Sequence, residues 1–433
     1  MDSSLQPERS AEMPIMVDST VKLVKMLDEG ASMYEIYREM VRCGRLDDQD
    51  RIRDHSMRHL LYSMSRKMLR SVLMNTLGPD LWNRDLYSKA NWEEVLWMEG
   101  PGAYVGFMSV KGRKGSFLSV KEIRDLIGWI ESYVVAVDAS ERNDDGFGGR
   151  FGSTQFPDDV LEAMNDAMQI DDVCLSTKRY DGEGTPLYGE FKPRFASSAT
   201  KNKSSNIQDL IKMLKRRCLP GVDEDVFQKQ SPLLVGNSGK MDKRAMDHLA
   251  SSNLGASAKV WGLMISCLKL MGIDIEVQVA ALFRAWVDDQ QIDDAEVLGT
   301  VLAGSAVEVA GCNVKTPGTR GSRGGNAESD AAAFQKSKEH VFSGKCWYRD
   351  NLELSTKKRQ AAREARHTSP TAVLEEAHRE KMEALEKEKE SALEKLRSAN
   401  ETRDETMAEA LAQTEAEARK AKAFLGWMKA QNP

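Results

Sequence analysis

Apolar residues recur every three or four positions through most of the first 310 residues, and this spacing is typical of amphipathic helices. The first periodic stretch begins at Asp18 and stops at Gly30, the second stops at Gly44, and a third covers about 48–77. Glycine closes helices in this way because it adopts conformations that end the helical turn at little cost. The opening part of the chain is therefore predicted to be a bundle of helices.

The periodicity changes between residues 103 and 120, where short apolar runs are bounded by glycines. Residues 103–110 predict a strand, residues 111–115 a turn and residues 116–120 a second strand. One small β-hairpin is therefore expected near 103–120, inside an N-terminal helical lobe that covers 18–190.

The second half of the chain returns to the helical pattern and predicts a C-terminal lobe over 191–355. Its methionine-rich stripes have the spacing of packed cores and indicate no cofactor site. Residues 313–329 are rich in Gly, Ser, Thr and Arg, which predicts a mobile loop. From residue 158 onward the expected helices lie near 158–168, 206–218, 242–250, 256–270, 276–288 and 293–310.

The chain ends in a charged tail over 356–433 that is rich in Ala, Glu, Lys and Arg. No further proline interrupts it between Pro370 and Gly426, so we predict one long helix there. An apolar track follows this helix with heptad spacing, but Lys389 and Arg403 occupy core positions and the register shifts after Arg403. A solvated single helix and an oligomeric coiled coil both fit this pattern.

The predicted fold is therefore mainly α: a two-lobed helical architecture with one small β-hairpin, a flexible N-terminal arm over 1–17 and a long C-terminal helix. A composition of 41% hydrophobic and 30% charged residues is typical of globular proteins. No apolar run reaches the roughly 18 residues of a membrane-spanning helix, and no apolar signal segment opens the chain. We expect a soluble intracellular protein without a membrane partner.

The six cysteines and six histidines are dispersed along the chain. No pair of cysteines has CxxC spacing, which argues against a disulfide framework. Only His55 and His59 share a helical face, and no third ligand stands beside them at helical spacing. We therefore expect free thiols, ordinary packing histidines, no metal site and no cofactor.

Catalytic motifs are missing from the sequence, so no catalytic residue is assigned and no enzyme is expected. The glycines of 146–149 lack the strand–turn–helix placement of a dinucleotide-binding loop. The sequence around Gly239 lacks the first glycine and the hydroxyl residue of a phosphate-binding loop. Acidic pairs such as Asp288 and Asp289 suit helix ends, although a two-metal nuclease stays an alternative because its metals need paired carboxylates.

The net charge of −6 conceals a basic strip in the middle of the chain. Eight cations and one acid, Asp209, stand within 192–217, among Ser, Thr and Asn residues and the aromatic rings of Phe191 and Phe195. Such a strip suits phosphate contacts combined with base stacking; the alternative is a solvated loop followed by an amphipathic helix with a charged face. The eight cations are Lys192, Arg194, Lys201, Lys203, Lys212, Lys215, Arg216 and Arg217.

Further cations extend the candidate RNA-binding set beyond the strip. Lys240, Lys243 and Arg244 continue the basic bias in the next helix. Arg320 and Arg323 stand in a glycine-rich segment whose backbone could follow a flexible strand, or which is only a linker. A last basic group within 357–366 fits a nuclear-import patch as well as an ordinary charged helix.

The chain resembles the nucleocapsid (coat) proteins of segmented negative-strand RNA viruses of plants, and it is most similar to those of ophioviruses. The resemblance is carried by the overall organisation, by the central segment FKPRFASSATKNKSSNIQDLIKMLKRRC (191–218) and by AAAFQKSK (331–338). It implies a two-lobed, nucleoprotein-like helical fold that sequesters genomic RNA by its backbone and oligomerises along it. It also implies the viral polymerase as a partner, and a location in the virion and the host cytoplasm, with nuclear entry as an option.

Two hypotheses follow for the function. In the first, the protein coats single-stranded RNA without sequence preference and assembles into homo-oligomers along it. In the second, it is a helical scaffold or adaptor whose tail forms a coiled coil and whose basic strip binds an acidic protein partner.

Overall fold

A central three-stranded antiparallel sheet organises the chain, with strand order β2-β1-β3. The computed structural model describes residues 17–46, 51–83, 97–144, 156–174, 193–197, 202–255, 257–318, 327–343, 347–368 and 370–431. Helices make up 63% of the structure and strands 9%, so the predicted mainly α class is confirmed. The strands are β1 (Gly102–Val110), β2 (Leu233–Ser238) and β3 (Ile275–Arg284).

Helices pack against both faces of this sheet. Those that precede β2 are α1 (Asp18–Asp28), α2 (Met33–Arg42), α3 (Arg51–Tyr62), α4 (Arg66–Met74), α5 (Leu77–Trp82), α6 (Val120–Asp144), α7 (Asp158–Asp172) and α8 (Ser205–Arg217). Those that follow it are α9 (Met241–Met246), α10 (Lys259–Leu270), α11 (Asp289–Ala303), α12 (Ala327–Phe342), α13 (Trp347–Thr368) and α14 (Pro370–Gln431).

Side-chain alternation along β1 connects two hydrophobic layers. Ala103, Val105 and Phe107 belong to a cluster with α1–α5 and α11, whereas Met108 and Val110 belong to a second cluster with α6, α7, α8 and α10. Successive side chains of a strand point to opposite faces, so a strand that is buried throughout can serve both layers. All nine residues of β1 are buried.

The predicted boundary between lobes at 190/191 does not separate these layers, because each cluster contains residues from both sides of it. The chain instead divides into the compact unit Met1–Thr356 and a second unit, Lys357–Pro433, which contains α14. The predicted N-terminal arm lies outside the described residues except for residue 17.

The predicted hairpin near 103–120 is wrong in its second half. Residues 103–110 do form a strand, but β1 pairs along its length with β2 and β3; its bond to residues 116–120 is that of the Val110 N–H to the Ser116 carbonyl at 3.0 Å. After the turn, the backbone N–H of Phe117 donates to the carbonyl of Gln228 at 2.7 Å, and the N–H of Gln228 donates to Leu118 at 3.1 Å. The segment after the turn therefore pairs with a part of the chain more than 100 residues away.

Two helix predictions also need correction. The helix expected over 276–288 is strand β3, whose valines alternate with polar residues before an apolar end. The single helix expected over 48–77 is divided into α3, α4 and the start of α5. The hydroxyl of Ser65 accepts a hydrogen bond from the N–H of Met68 at 3.1 Å, which begins α4 as a capped helix of its own.

A close backbone contact fixes the turn after β1. Gly112 and Gly115 both have positive φ, +82° and +84°, and a Cβ at Gly115 would lie 2.2 Å from the carbonyl oxygen of Gly78. No atom lies within 4 Å of a Cβ placed at Gly112. Only glycine at residue 115 therefore permits this contact between the turn and α5.

We expect Gly115→Ala to lower the free energy of unfolding by at least about 3 kcal/mol, because it adds a backbone clash to the strain of positive φ. The matched variant Gly112→Ala keeps the strain without the clash and should cost about 1 kcal/mol. Urea denaturation of both variants measures the difference. Equal losses would show that the contact with α5 contributes nothing.

Candidate nucleic-acid interface

Helix α8 presents three of the predicted RNA-binding cations to solvent. Its apolar residues pack against α6, α7 and α10 in the second hydrophobic cluster, and the opposite face carries Lys212, Lys215 and Arg216. The side chains of Lys212 and Lys215 are 72% and 58% exposed. Residues three and four apart are neighbours on a helix surface, so the three cations form one compact patch. We call Lys212, Lys215 and Arg216 the α8 patch.

Each cation of the α8 patch has a partner in the protein. Lys212 Nζ lies 2.9 Å from Asp209 Oδ1, and Lys215 Nζ lies 2.7 Å from Glu131 Oε1. Arg216 donates to the carbonyls of Glu308 and Val309 at 2.7 and 2.8 Å. Exposed ion pairs contribute only about 0–1 kcal/mol, so a phosphate can replace these carboxylates at small cost.

Arg217 is not available to RNA, which corrects its assignment as an RNA-binding residue. It is 1% exposed and donates to the carbonyls of Gln230 at 3.2 Å and Ala310 at 3.1 Å. Burial lowers the pKa of Arg217 to about 10, so the guanidinium stays charged at neutral pH. These two bonds attach α8 to the segment that precedes β2 and to the segment that follows α11.

Residues 193–197, which precede α8 in the chain, contain a buried aromatic ring. Phe195 is 2% exposed and packs in the second hydrophobic cluster, so it offers no platform for base stacking. The guanidinium of Arg194 lies 5.3 Å from the centre of that ring and donates to the carbonyl of Asn253. The backbone N–H of Arg194 donates at 3.0 Å to the carboxylate of Asp171, which is fully buried. The sequence pattern did not identify Asp171.

Two further lysines lie near this segment: Lys203 just before α8, and Lys259 on α10, which contacts Arg194. The backbone N–H of Lys203 donates to Glu141 at 2.5 Å, and its side chain is half-buried. Lys259 donates to the carbonyl of Arg194, and burial together with the charge of Arg194 lowers the pKa of Lys259. The pattern of charges in the sequence does not reveal this contact; only the structure places Lys259 against Arg194.

A second exposed group lies around α9. Lys240 and Lys243 are exposed, whereas Arg244 forms an ion pair with Asp247 at 2.7 Å. The buried Met241 attaches this short helix to the sheet. The accessible cations of the described chain therefore form at least two separate groups, on α8 and on α9.

Four predicted RNA-binding residues lie outside the described residues: Lys192, Lys201, Arg320 and Arg323. None of the described candidate RNA-binding cations lines either of two cavities in the first unit; the arginines that line them are Arg284 in the smaller and Arg124 in the larger. The smaller, of about 20 Å³, lies between α4 and β3. The larger is an open depression of about 660 Å³ beside Asp125, Trp129 and Asp166.

Within the described ranges, no group of three or more His, Cys, Asp and Glu side chains could hold a metal ion. His55 and His59 lie with their Nε2 atoms 3.1 Å apart, and His59 also contacts Tyr348. Among the described helices, none combines the length and apolar character needed to cross a bilayer. No protein-family model, curated protein or solved structure matches the chain.

A buried polar contact secures the chain that leads from α9 to α10. His248 is 3% exposed, with Nε2 at 2.8 Å from the Tyr104 hydroxyl and Nδ1 at 2.7 Å from the Ser257 hydroxyl. The pKa of His248 is lowered to about 4, mainly by burial and to a smaller extent by the charge of Arg244. The ring is therefore neutral at pH 7 and bonded on both nitrogens.

We expect His248 to destabilise the protein as the pH falls from about 6.5 to 4. Its pKa is lower in the folded state than in the unfolded state, so the unfolded state binds more protons in this window. The loss should reach about 3 kcal/mol. His248→Gln should flatten the dependence of unfolding free energy on pH relative to the native chain, measured by urea denaturation at each pH. An unchanged slope would contradict this role.

Proposed function

We propose that this protein is a viral nucleocapsid protein that coats genomic single-stranded RNA and self-assembles along it, without catalysis. The single observation that supports the RNA contact is the α8 patch on Ser205–Arg217. Its three cations are exposed, and they stand on a helix whose other face is fixed in a hydrophobic core. A rigid base of this kind reduces the entropy lost when a flexible strand binds.

The proposed binding mode is contact with phosphates rather than with bases. The aromatic ring beside the basic strip in the described chain, Phe195, is buried, so stacking on it is not offered. The three patch cations have only surface carboxylates and carbonyls as competitors. Phosphate contacts carry no sequence information, and this suits a protein that must cover an entire genome.

The remaining parts of the proposal come from the resemblance to plant-virus nucleocapsid proteins. The partners are single-stranded RNA, further copies of the chain and the viral polymerase, and the location is the virion and host cytoplasm. The two-lobed organisation of such proteins corresponds, in this proposal, to the two hydrophobic layers on either side of the sheet. Lys240 and Lys243 supply a second point of phosphate contact.

We expect the triple variant Lys212→Ala, Lys215→Ala, Arg216→Ala to bind single-stranded RNA more weakly and with less dependence on salt. Each phosphate contact with a single strand contributes roughly 0.7 to the slope of log affinity against log salt, so three lost contacts should reduce the slope by about 2. Fluorescence anisotropy of a labelled oligonucleotide between 50 and 300 mM salt, a range where phosphate contacts dominate, measures the slope.

The matched control removes three exposed cations from elsewhere on the same unit: Lys111, Lys121 and Lys229. It changes the net charge equally and should leave the slope nearly unchanged. If the control variant weakens RNA binding as much as the patch variant does, the α8 patch acts only through the net charge of the protein and is not a binding site of its own. Binding that differs strongly between RNA sequences would contradict phosphate recognition.

A second candidate function is a helical scaffold that binds acidic partners. The observation that favours it is the α14 helix, Pro370–Gln431, whose described side chains are all exposed, including several large apolar ones. An apolar stripe without a covering element indicates a surface for association.

Deletion of residues 371–433 separates the two candidates. An RNA-coating protein should keep its RNA affinity within about twofold on a short oligonucleotide, because the α8 patch belongs to the other compact unit. A scaffold should lose its self-association and bind no RNA before or after the deletion. Both properties are measured on the same preparations, by anisotropy and by sedimentation after nuclease treatment.

A further inference from the structure

The long helix α14 carries an exposed apolar stripe. Six of its large apolar side chains are 48–62% exposed, whereas such side chains are normally packed against another part of a protein. They are Met382, Leu385, Leu393, Leu396, Met407 and Leu411.

The stripe follows an 11-residue repeat rather than a heptad repeat. Leu385, Leu396 and Met407 are separated by 11 residues each, and so are Met382 and Leu393. Eleven residues make about three helical turns, so side chains at this spacing stay within roughly 20° of one another on the helix surface. The stripe is therefore straight and continuous, and the apparent register shift after Arg403 is part of the repeat.

Two cations interrupt the stripe, and they determine which way a second helix can lie. Lys389 and Arg403 project from the same face as the apolar residues by the helical period. In a parallel pair in register, each would meet its own copy across the seam. Like charges that oppose each other at a helical seam disfavour that arrangement.

We propose that the α14 helices of two copies of this chain pair antiparallel, with the two-fold axis between Glu394 and Lys395. Met382 of one copy then lies opposite Met407 of the other, and Leu393 lies opposite Leu396. These oppositions place large apolar side chains together on both sides of the axis.

Charge complementarity selects this register. The same alignment places Glu388 within two residues of the position opposite Arg403, and Glu390 within two residues of the position opposite Arg397. Each glutamate lies on the same flank of the stripe as its arginine, and an antiparallel pair brings like flanks together. None of these four residues forms an ion pair within the described chain, whereas Arg379 and Arg419 are paired with Glu residues of their own helix. Lys389 then lies opposite Asn400, which removes the repulsion between like charges.

Two-fold pairing of the tails forms a homodimer, and the contact is isologous because each copy contributes the same surface. The inference deepens the self-association in the proposed function and rests on it. It makes the tail a link between two RNA-bound copies, separate from the α8 patch on the first unit.

Reversal of the opposed charges tests the register in the full-length protein after nuclease treatment. Glu388→Arg alone and Arg403→Glu alone each create two like-charge contacts per dimer, so each should weaken dimerisation at least about tenfold. The double variant restores both contacts with exchanged signs and should dimerise within about threefold of the native chain. Sedimentation equilibrium measures the dissociation constant.

The matched controls are Glu405→Arg and Lys387→Glu, which make the same charge changes on the opposite face of α14. They should leave the dissociation constant within about twofold. A native chain that is monomeric at micromolar concentration would overturn the proposal. So would a double variant as weak as the single ones, because a parallel pair gains nothing from the exchange.

RNA binding is measured on the same variants with an oligonucleotide short enough for one copy. Charge reversals that abolish the dimer should leave this affinity unchanged. A native chain that binds RNA but does not dimerise overturns the tail pairing alone. A native chain that dimerises but binds no RNA overturns the proposed function and leaves the tail pairing standing. The two proposals therefore fail separately.

Discussion

The burial of β1, Gly102–Val110, on both faces is the constraint on which the rest of the structure depends. This strand bonds to β2 on one edge and to β3 on the other, and its side chains alternate between two helical layers. A strand with both edges paired and both faces covered has no surface left for water, so its sequence must be apolar or small at every position. The sequence GAYVGFMSV meets that requirement.

The same architecture explains why linear charge density is a poor guide to an RNA surface. The described cations of the basic strip, apart from the half-buried Lys203, separate in space into three groups. Arg217 supports the core, the cations of the α8 patch face solvent, and Arg194 bonds to a neighbouring loop. Cations next to one another in sequence point about 100° apart on a helix, so only part of such a strip can face one ligand.

Much of the helical framework could be predicted from sequence because helices are local. Their 3.6-residue period and their glycine stops are visible within a short window, and most of the described helices begin or end within a few residues of the predicted positions. The sheet could not be predicted in this way. The partners of β1 stand more than 100 residues away, and the apolar end of β3 fits a helical period as well as a strand.

The candidate site was only partly predictable for a related reason. Residue type and spacing placed Lys212, Lys215 and Arg216 in the basic strip but did not distinguish them from Arg217; their exposure follows from their place opposite the apolar face of α8. The burial of Arg217 and Phe195 depends on the carbonyls and side chains of distant segments, which a pattern of charges does not reveal. The long tail was correctly predicted as one helix, and the exposed positions of its large side chains made the 11-residue repeat visible.

The distance in sequence between the three strands also affects how the protein is made. β1 leaves the ribosome about 170 residues before β3 is complete. At translation rates of 5–20 residues per second this interval lasts roughly 10 to 35 seconds. Both edges of this apolar strand are unpaired until β2 follows about 130 residues later, and one edge stays unpaired until β3 is complete; such edges promote aggregation. Slower translation or lack of a chaperone should therefore harm the nascent chain most before residue 284 is synthesised.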